Sequence, residues 1–197
     1  MNKLLLATNN KGKIDELQEL LKGLEAEILT PRNLDLDLDV IESGSTYLEN
    51  AAKKAVAFAK SSGLLSLADD SGLEVAALDG APGIYSARYS PKKGASDKDR
   101  RDYLLEQLKD RPRPWMARFH CTVVLAFPSG ETHFADGECQ GEIISQERGE
   151  SGFGYDPIFL VAGMDRTMAE LSMADKNKLS HRARAIQSIW PTLLESF

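Results

Sequence analysis

The sequence predicts an α/β protein built around a mixed β-sheet. Short apolar runs that suit buried strands alternate with segments whose apolar residues recur at helical spacing, and a long hairpin pattern follows over residues 115–143. Alternating strands and helices are typical of an α/β fold, and the hairpin adds antiparallel pairing. The length of 197 residues suits one large domain, residues 1–197, or two tightly joined lobes.

The elements of the first third are two strands and a helix between them. The strands cover residues 3–7 and 26–30, and Pro31 ends the second. The buried face of the helix is predicted from apolar residues at helical spacing: Ile14, Leu17, Leu20, Leu21 and Leu24. The alternating acids of residues 35–39 indicate an exposed strand or loop with one apolar face.

A second helix and a third strand precede the first pair of acids. Thr46 and Glu49 match a capping box, and a face of small residues follows on Ala51, Ala52, Ala55, Val56 and Ala59. The strand at residues 64–67 is expected to end in a turn at Asp69-Asp70, with a return strand over residues 73–76.

The second half begins with a helix from Ser96 and continues into the hairpin, whose turn is Pro128-Ser129-Gly130. Residues 174–178 are predicted to be helical. Ser180 is the predicted N-cap of a last helix with Ile186, Ile189, Trp190 and Leu193 on its buried face. Pro191 should kink or end that helix.

Composition excludes several classes of function. The net charge of -6 argues against a general nucleic-acid coat protein, because binding to a phosphate backbone needs a basic face. The two cysteines lack metal-binding spacing and are too few for a disulfide framework. No apolar run suits a signal peptide or a membrane span. We therefore expect a cytoplasmic protein that does not act on membranes.

The adjacent acids Asp69 and Asp70 are the first candidate for chemistry. Two carboxylates side by side repel, so the chain tolerates them when they are solvated, when one is protonated, or when a divalent cation lies between them. An Asp-rich turn that caps its own backbone is the structural alternative.

The turn at residues 8–13 is a candidate anion site. It lies between a strand and a helix N-terminus, where free N–H groups and the helix dipole favour phosphate, and Lys13 adds a formal charge. It is not a Walker A loop, because Ala7 and Ile14 occupy the positions of the required glycine and Ser/Thr. A plain helix cap with solvated lysines remains the alternative.

Three further clusters are candidates for binding. Glu42 lies in an irregular segment and is not used by the Thr46 capping box. In residues 152–159 two glycines flank Phe153, so a flat ligand could stack on its ring; a glycine turn with a buried aromatic is the alternative. His181 and Arg182 place cations in the first turn of the last helix, against its dipole. His120 and His133 lie on strands without an evident partner, and we assign them no role.

Taken together, the motifs resemble the inosine triphosphate pyrophosphatase family, which removes non-standard purine nucleoside triphosphates. The segments that carry the resemblance occur in family order: residues 8–13, 68–73, 80–89, 153–159 and 180–182. Ala183 departs from the glycine that usually follows Ser-His-Arg in the family. The ordered set spans nearly the whole chain, although each segment alone is a weak signal.

The resemblance implies Mg²⁺-dependent hydrolysis of a nucleoside triphosphate, such as ITP, dITP, XTP or dXTP, between its α and β phosphates. It implies Asp70 as proton acceptor, and Asp70, Glu42 and Asp69 as magnesium ligands. Lys13 and Lys176 would pair with phosphates, Phe153 would stack on the base, and Asp156, His181 and Arg182 would read its edge. The residues expected to bind substrate are Thr8, Asn9, Asn10, Lys11, Gly12, Lys13, Ser71, Phe153, Gly154, Tyr155, Asp156, Lys176, His181 and Arg182.

The family also implies two lobes around an elongated sheet, a nucleotide cleft between the lobes, and a homodimer. Two rival functions remain at this stage. One is a pyrophosphatase for other modified nucleotides, such as pyrimidine or methylated ones. The other is a non-catalytic nucleotide sensor, which the three carboxylates disfavour because binding an anion alone does not call for them.

Overall fold

The computed structural model describes residues 2–197. Within this range the strands are β1 Asn2–Leu6, β2 Ala26–Leu29, β3 Leu65–Val75, β4 Trp115–Ala126, β5 Thr132–Ile143 and β6 Phe159–Val161. They form one sheet in the order β2-β1-β3-β4-β5-β6. β1 pairs in parallel with β2 and β3, whereas β5 and β6 are antiparallel. The predicted mixed α/β class is confirmed.

The α-helices of the described residues are α1 Lys11–Leu20, α2 Tyr47–Ser62, α3 Asp97–Leu108, α4 Met173–Leu179 and α5 His181–Glu195. Residues 35–39 form no strand, as the loop alternative predicted, and Leu36 and Leu38 pack on the core from this segment. None of these helices combines the length and apolar character that crossing a bilayer requires.

The first compact unit, unit 1, comprises residues up to Asp70 together with residues 121–137 and 182–197. Successive residues of β1 point to opposite faces of the sheet. Leu4 and Leu6 therefore pack with α1 and α5, while Leu5 and Ala7 pack with α2. The predicted apolar faces of these three helices all lie in the core, which confirms their spacing.

The second compact unit, unit 2, comprises residues 71–120 and 138–181. Its core joins Leu104 and Leu108 of α3 to Trp115 and Phe119 of β4 and to Phe159 of β6. The rings of Phe119 and Phe159 are 4.4 Å apart between centroids. α3 is thereby anchored on the same core as the start of β6.

One local prediction is wrong, and one is narrowed to a single alternative. β3 runs without a break through 11 residues, so Asp69 and Asp70 lie inside a strand and form no turn. For Pro191, an end of the last helix is excluded because α5 continues to Glu195, while the alternative of a kink stays a prediction. Pro191 lacks one backbone hydrogen bond, yet the buried side chains of Ile189 and Leu193 pack on either side of it and hold the helix.

Candidate active site

The turn between β1 and α1 presents polar groups at the end of a buried strand. Asn10 is the N-cap of α1, and its side chain accepts a hydrogen bond from the Lys13 backbone N–H at 3.1 Å. Thr8 Oγ1 accepts one from the Asn10 backbone N–H at 3.2 Å. Asn9 and Lys11 are exposed. The other N–H groups of the first turn lie at the positive end of the helix dipole, a setting that attracts anions.

Lys13 is not a solvated lysine of a plain helix cap. Its Nζ lies 3.1 Å from Asp69 Oδ2 and 3.4 Å from the Asp69 carbonyl oxygen. The charge of Lys13 is therefore held beside β3, in contact with the strand that carries both acids.

Asp69 is the centre of a buried ion-pair cluster. Its Oδ2 accepts hydrogen bonds from Arg182 Nε at 3.1 Å and Nη2 at 2.9 Å, in addition to the contact with Lys13. Burial by itself raises the pKa of Asp69, but the charges of Lys13, Arg182 and Lys54 outweigh burial and hold the pKa well below its usual range. This low pKa favours the ionised form of Asp69 at neutral pH.

Arg182 is fully buried and bridges two acids from different elements. Besides Asp69 on β3, its guanidinium contacts the buried Glu16 carboxylate on α1. Burial lowers the pKa of Arg182, but Asp69 and Glu16 raise it above its usual value. The chain Glu16–Arg182–Asp69–Lys13 ties α1, β3 and the start of α5 together.

The side chain of Asp70 lies on the other face of the sheet from that of Asp69, because adjacent residues of a strand point to opposite faces. Asp69 follows Leu67 on the face covered by α1 and α5, whereas Asp70 follows Ala68 on the face covered by α2. Asn50 of α2 donates a hydrogen bond from Nδ2 to Asp70 Oδ2 at 3.1 Å. Burial raises the pKa of Asp70, and the charge of Glu42 adds to the rise, while Lys54 and Lys13 oppose it.

Lys54 is a site residue that sequence reasoning missed. Its Nζ lies 2.6 Å from Glu42 Oε1 and 2.8 Å from the Asp69 carbonyl oxygen. Burial lowers the pKa of Lys54, but Asp69, Asp70 and Glu42 raise it above its usual value. Asn50 and Lys54 are one turn apart on a helix whose other buried residues are mostly small or aromatic. This one-turn spacing of two polar residues is the sequence pattern from which Lys54 could have been predicted as a site residue.

Asp70 and Glu42 stay the predicted magnesium ligands, and Glu42 Oε1 contacts Lys54 Nζ at 2.6 Å. No group of three or more His, Cys, Asp or Glu side chains within residues 2–197 is arranged to hold a metal by itself. Magnesium commonly uses one or two carboxylates together with phosphates and water, and Glu42 is near enough to raise the pKa of Asp70. Oδ2 of Asp69 already contacts Lys13 and Arg182. The role of Asp69 as a metal ligand stays a prediction.

The Phe153 loop lies in unit 2 and is organised by Asp156. Asp156 Oδ2 accepts hydrogen bonds from the Phe153 backbone N–H at 3.0 Å and from Lys176 Nζ at 2.6 Å. Lys176 Nζ lies 5.3 Å from the Phe153 ring centroid. Gly152 has a φ of +78°, and a Cβ there would lie 2.1 Å from Asp156 Oδ2, so only glycine fits. Lys176 therefore belongs with Phe153 and Asp156.

The remaining predicted residues divide between the two units. His181 is buried in unit 2, stacked on Phe119 with ring centroids 4.7 Å apart. The next residue, Arg182, belongs to unit 1. Tyr155 Oη donates to the Ser86 carbonyl oxygen at 2.9 Å. Ser71 is half-buried within β3. Asp156 and Tyr155 anchor the loop through hydrogen bonds, whereas the purine-reading roles of Asp156, His181 and Arg182 stay predictions.

The fold and this cluster define a mixed α/β protein with a lysine-rich carboxylate site, and comparison with known proteins identifies its family. The model of the Ham1 family matches residues 4–192. The chain therefore belongs to the Ham1 family, and the resemblance predicted from its motifs is confirmed.

Similar proteins and solved structures support the same family assignment. A dITP/XTP pyrophosphatase from Desulforamulus reducens is 47% identical over 187 residues, which are 94% of this chain and 92% of the relative. One from Thermus thermophilus is 45% identical over 188 residues, covering 95% of this chain and 89% of the relative. A HAM1 protein structure from Coxiella burnetii superposes with a TM-score of 0.88 at 42% identity, covering 99% of this chain and 100% of that one.

Proposed function

We propose that the protein hydrolyses non-standard purine nucleoside triphosphates, ITP, dITP, XTP and dXTP, to the nucleoside monophosphate and pyrophosphate. The observation that carries this proposal is the pair of adjacent carboxylates, Asp69 and Asp70, held in opposite electrostatic surroundings within a cluster of lysines. Relatives named dITP/XTP pyrophosphatase support the substrate class. The reaction would remove these nucleotides before they enter DNA or RNA.

The phosphate-binding role falls to unit 1. Lys13 and Lys54 supply positive charge, and Thr8, Asn10 and the backbone N–H groups at the start of α1 supply hydrogen bonds to phosphate oxygens. Asp69, fixed by Arg182, orients Lys13. Since phosphoryl transfer depends mainly on positioning and charge stabilisation, a cluster that is already ordered contributes directly to the rate.

Asp70 accepts the proton of the attacking water. Water forms a bond to the α-phosphorus while the bond from that phosphorus to the bridging oxygen breaks. The bridging oxygen leaves with pyrophosphate, and Asp70 takes the water proton. The Asn50 side chain, which donates a hydrogen bond to Asp70 Oδ2, holds the carboxylate in place for this step. Asp70 and Glu42 would hold Mg²⁺, which when bound neutralises part of the triphosphate charge.

The base-binding role falls to unit 2. Phe153 stacks on the purine, and Lys176, held by Asp156, is a hydrogen-bond donor beside that ring. Hypoxanthine and xanthine carry a 6-keto acceptor where adenine carries an amino donor, so a fixed ammonium favours the keto bases. We assign Arg182 to holding Asp69, because its guanidinium is buried between two acids.

The experiment that tests this function is a pyrophosphate-release assay with Mg²⁺. We expect release from ITP, dITP and XTP to exceed release from ATP and TTP. Preference for a pyrimidine or methylated triphosphate would replace the proposed substrate class. Tight binding of ITP without release from any substrate would contradict hydrolysis and favour a sensor.

Glu42→Gln tests the metal assignment. A neutral amide is a weaker ligand than a carboxylate, so the Mg²⁺ concentration that gives half-maximal activity should rise about tenfold. The control is Glu25→Gln, an exposed acid after α1. An unchanged magnesium requirement in Glu42→Gln would remove Glu42 from the metal site.

Two further properties belong to this proposal. We place the enzyme in the cytoplasm, where Cys121 and Cys139 would remain the free buried thiols that the structure contains. We also propose a homodimer, which sedimentation of the purified protein would test; a monomer at micromolar concentration would contradict it.

A further inference from the structure

Two side chains of α3 form hydrogen bonds with the backbone of Gly154, the residue after Phe153. Asp97 Oδ2 accepts a hydrogen bond from the Gly154 backbone N–H at 2.8 Å. Arg101 donates one from a guanidinium nitrogen to the Gly154 carbonyl oxygen at 2.8 Å. Asp97 and Arg101 are one helical turn apart and so share a face of α3. Both hydrogen bonds involve a charged group, which makes them stronger than neutral ones.

Each of these two side chains is itself held in place. Glu147 accepts two hydrogen bonds from the Arg101 guanidinium, both at 3.0 Å. Asp97 Oδ1 pairs with Arg100, whose guanidinium also donates to the Ala95 carbonyl oxygen at 2.7 Å. The clamp formed by Asp97 and Arg101 is therefore held in place by other residues of unit 2.

The clamp completes a set of hydrogen bonds that fixes the backbone on both sides of the Phe153 ring. The Phe153 N–H donates to Asp156, and the Phe153 carbonyl oxygen accepts from the Asp156 N–H at 3.2 Å. The next N–H and carbonyl, those of Gly154, are held by Asp97 and Arg101. Gly154 has a φ of +62°, a conformation that glycine adopts readily and that the clamp keeps in place. Three consecutive peptide units are thus fixed.

We propose that Asp97 and Arg101 are positioning residues that preset the Phe153 ring for stacking on the purine base of the substrate. This inference rests on the proposed function. An ordered loop binds more tightly than a mobile one, because the entropy of ordering it is not lost when the ligand binds. The clamp holds the base-stacking loop, whereas the proton transfer is assigned to Asp70, so loss of the clamp should weaken substrate binding without slowing the chemical step.

The test compares Asp97→Ala and Arg101→Met with matched controls on the same helix. Lys98 and Asp102 pair with each other on the exposed side of α3, so Lys98→Met and Asp102→Ala remove the same charges without touching the loop. We expect KM for ITP to rise about tenfold in each clamp variant, with kcat within about twofold of the unmodified enzyme. Both controls should keep the unmodified KM.

Inorganic pyrophosphate, which carries no base, separates positioning from general destabilisation. Its inhibition constant should be unchanged in the clamp variants, whereas a damaged fold would weaken its binding too. Asp97→Asn keeps an oxygen that can accept from the Gly154 N–H, so KM should return towards the unmodified value. If Asp97→Ala does not fold, Arg101→Met tests the loss of the clamp and Asp97→Asn tests its retention.

Unchanged KM in both clamp variants of an active enzyme would overturn the clamp and leave the proposed function standing. A rise in KM that is matched by weaker pyrophosphate inhibition would also overturn it. If the unmodified protein releases no pyrophosphate from ITP, the proposed function fails and the clamp fails with it.

Discussion

Ion pairs hold Asp69 in unit 1, whereas hydrogen bonds to the backbone hold Phe153 in unit 2. Asp69 is fixed by Arg182 and Lys13, all of them inside one buried cluster. Phe153 is fixed through its own peptide groups and those of Gly154. Removing one member of a buried ion pair leaves an uncompensated charge, while removing one hydrogen bond loosens a loop. Loss of one partner of Asp69 in unit 1 should therefore cost more stability than loss of one hydrogen bond of the Phe153 loop in unit 2.

Asp70→Asn is expected to have the largest effect. The amide cannot accept the proton of the attacking water, so kcat should fall roughly 10²- to 10⁴-fold while ITP still binds. Single-turnover kinetics and a separate binding measurement would check this. Asp102→Asn, on the exposed side of α3, is the control. Near-normal turnover in Asp70→Asn would remove Asp70 from the centre of the mechanism.

Arg182→Met should come next, and its effect should be on stability. It leaves Glu16 and Asp69 buried without their shared cation, which costs about 3–5 kcal/mol of unfolding free energy. Chemical denaturation would measure the change. Arg184→Met removes an exposed arginine two residues further along α5 and should change stability by less than about 0.5 kcal/mol. If the two variants are equally stable, the cluster does not hold unit 1 together.

Lys54→Met tests the site residue that sequence reasoning missed. Loss of a charged hydrogen-bond donor for phosphate should lower kcat/KM by about 10- to 100-fold, which corresponds to ~1.5–3 kcal/mol. Lys53, its neighbour on α2, is exposed and contacts only Ser43 Oγ among the hydrogen bonds described. Lys53→Met should therefore keep kcat/KM. Equal losses in the two variants would point to a general charge effect.

Phe153→Ala should have the smallest effect and sharpen the contrast between the units. Stacking on a base contributes ~1–3 kcal/mol, so KM for ITP should rise about 5- to 100-fold with little change in kcat. Phe134→Ala, at an exposed position of β5, is the control. A Phe153→Ala variant with normal KM and reduced kcat would show that the ring does not act through substrate binding.

The sequence predicted the fold class and the buried faces of α1, α2 and α5, because these depend on local periodicity. It did not predict that β3 is continuous. Asp-Asp-Ser-Gly is typical of a turn, and the partner that neutralises Asp69, Arg182, lies 113 positions along the chain. A long-range ion pair of this kind leaves no local pattern.

The site was predicted unevenly for the same reason. The motif residues were recognised as an ordered set, but their grouping was not: Lys176 was expected among the phosphate ligands and lies with Phe153 and Asp156. Lys54 and Glu16 resemble ordinary surface charges of helices until the fold places Lys54 against β3 and buries Glu16 against Arg182. Sequence spacing gives the face of a helix, but not which charge lies opposite it.

The continuity of β3 also limits how the chain can change in length. Its register is fixed by pairing with β1, from Leu4 opposite Leu65 to Leu6 opposite Leu67. Inserting or deleting one residue between Leu67 and Asp69 would exchange the faces of the two acids, because side chains alternate along a strand. Asp70 would then lie on the face of β3 that carries Arg182, and Asp69 on the face that carries Asn50. This segment can therefore accept substitutions far more readily than a one-residue insertion or deletion.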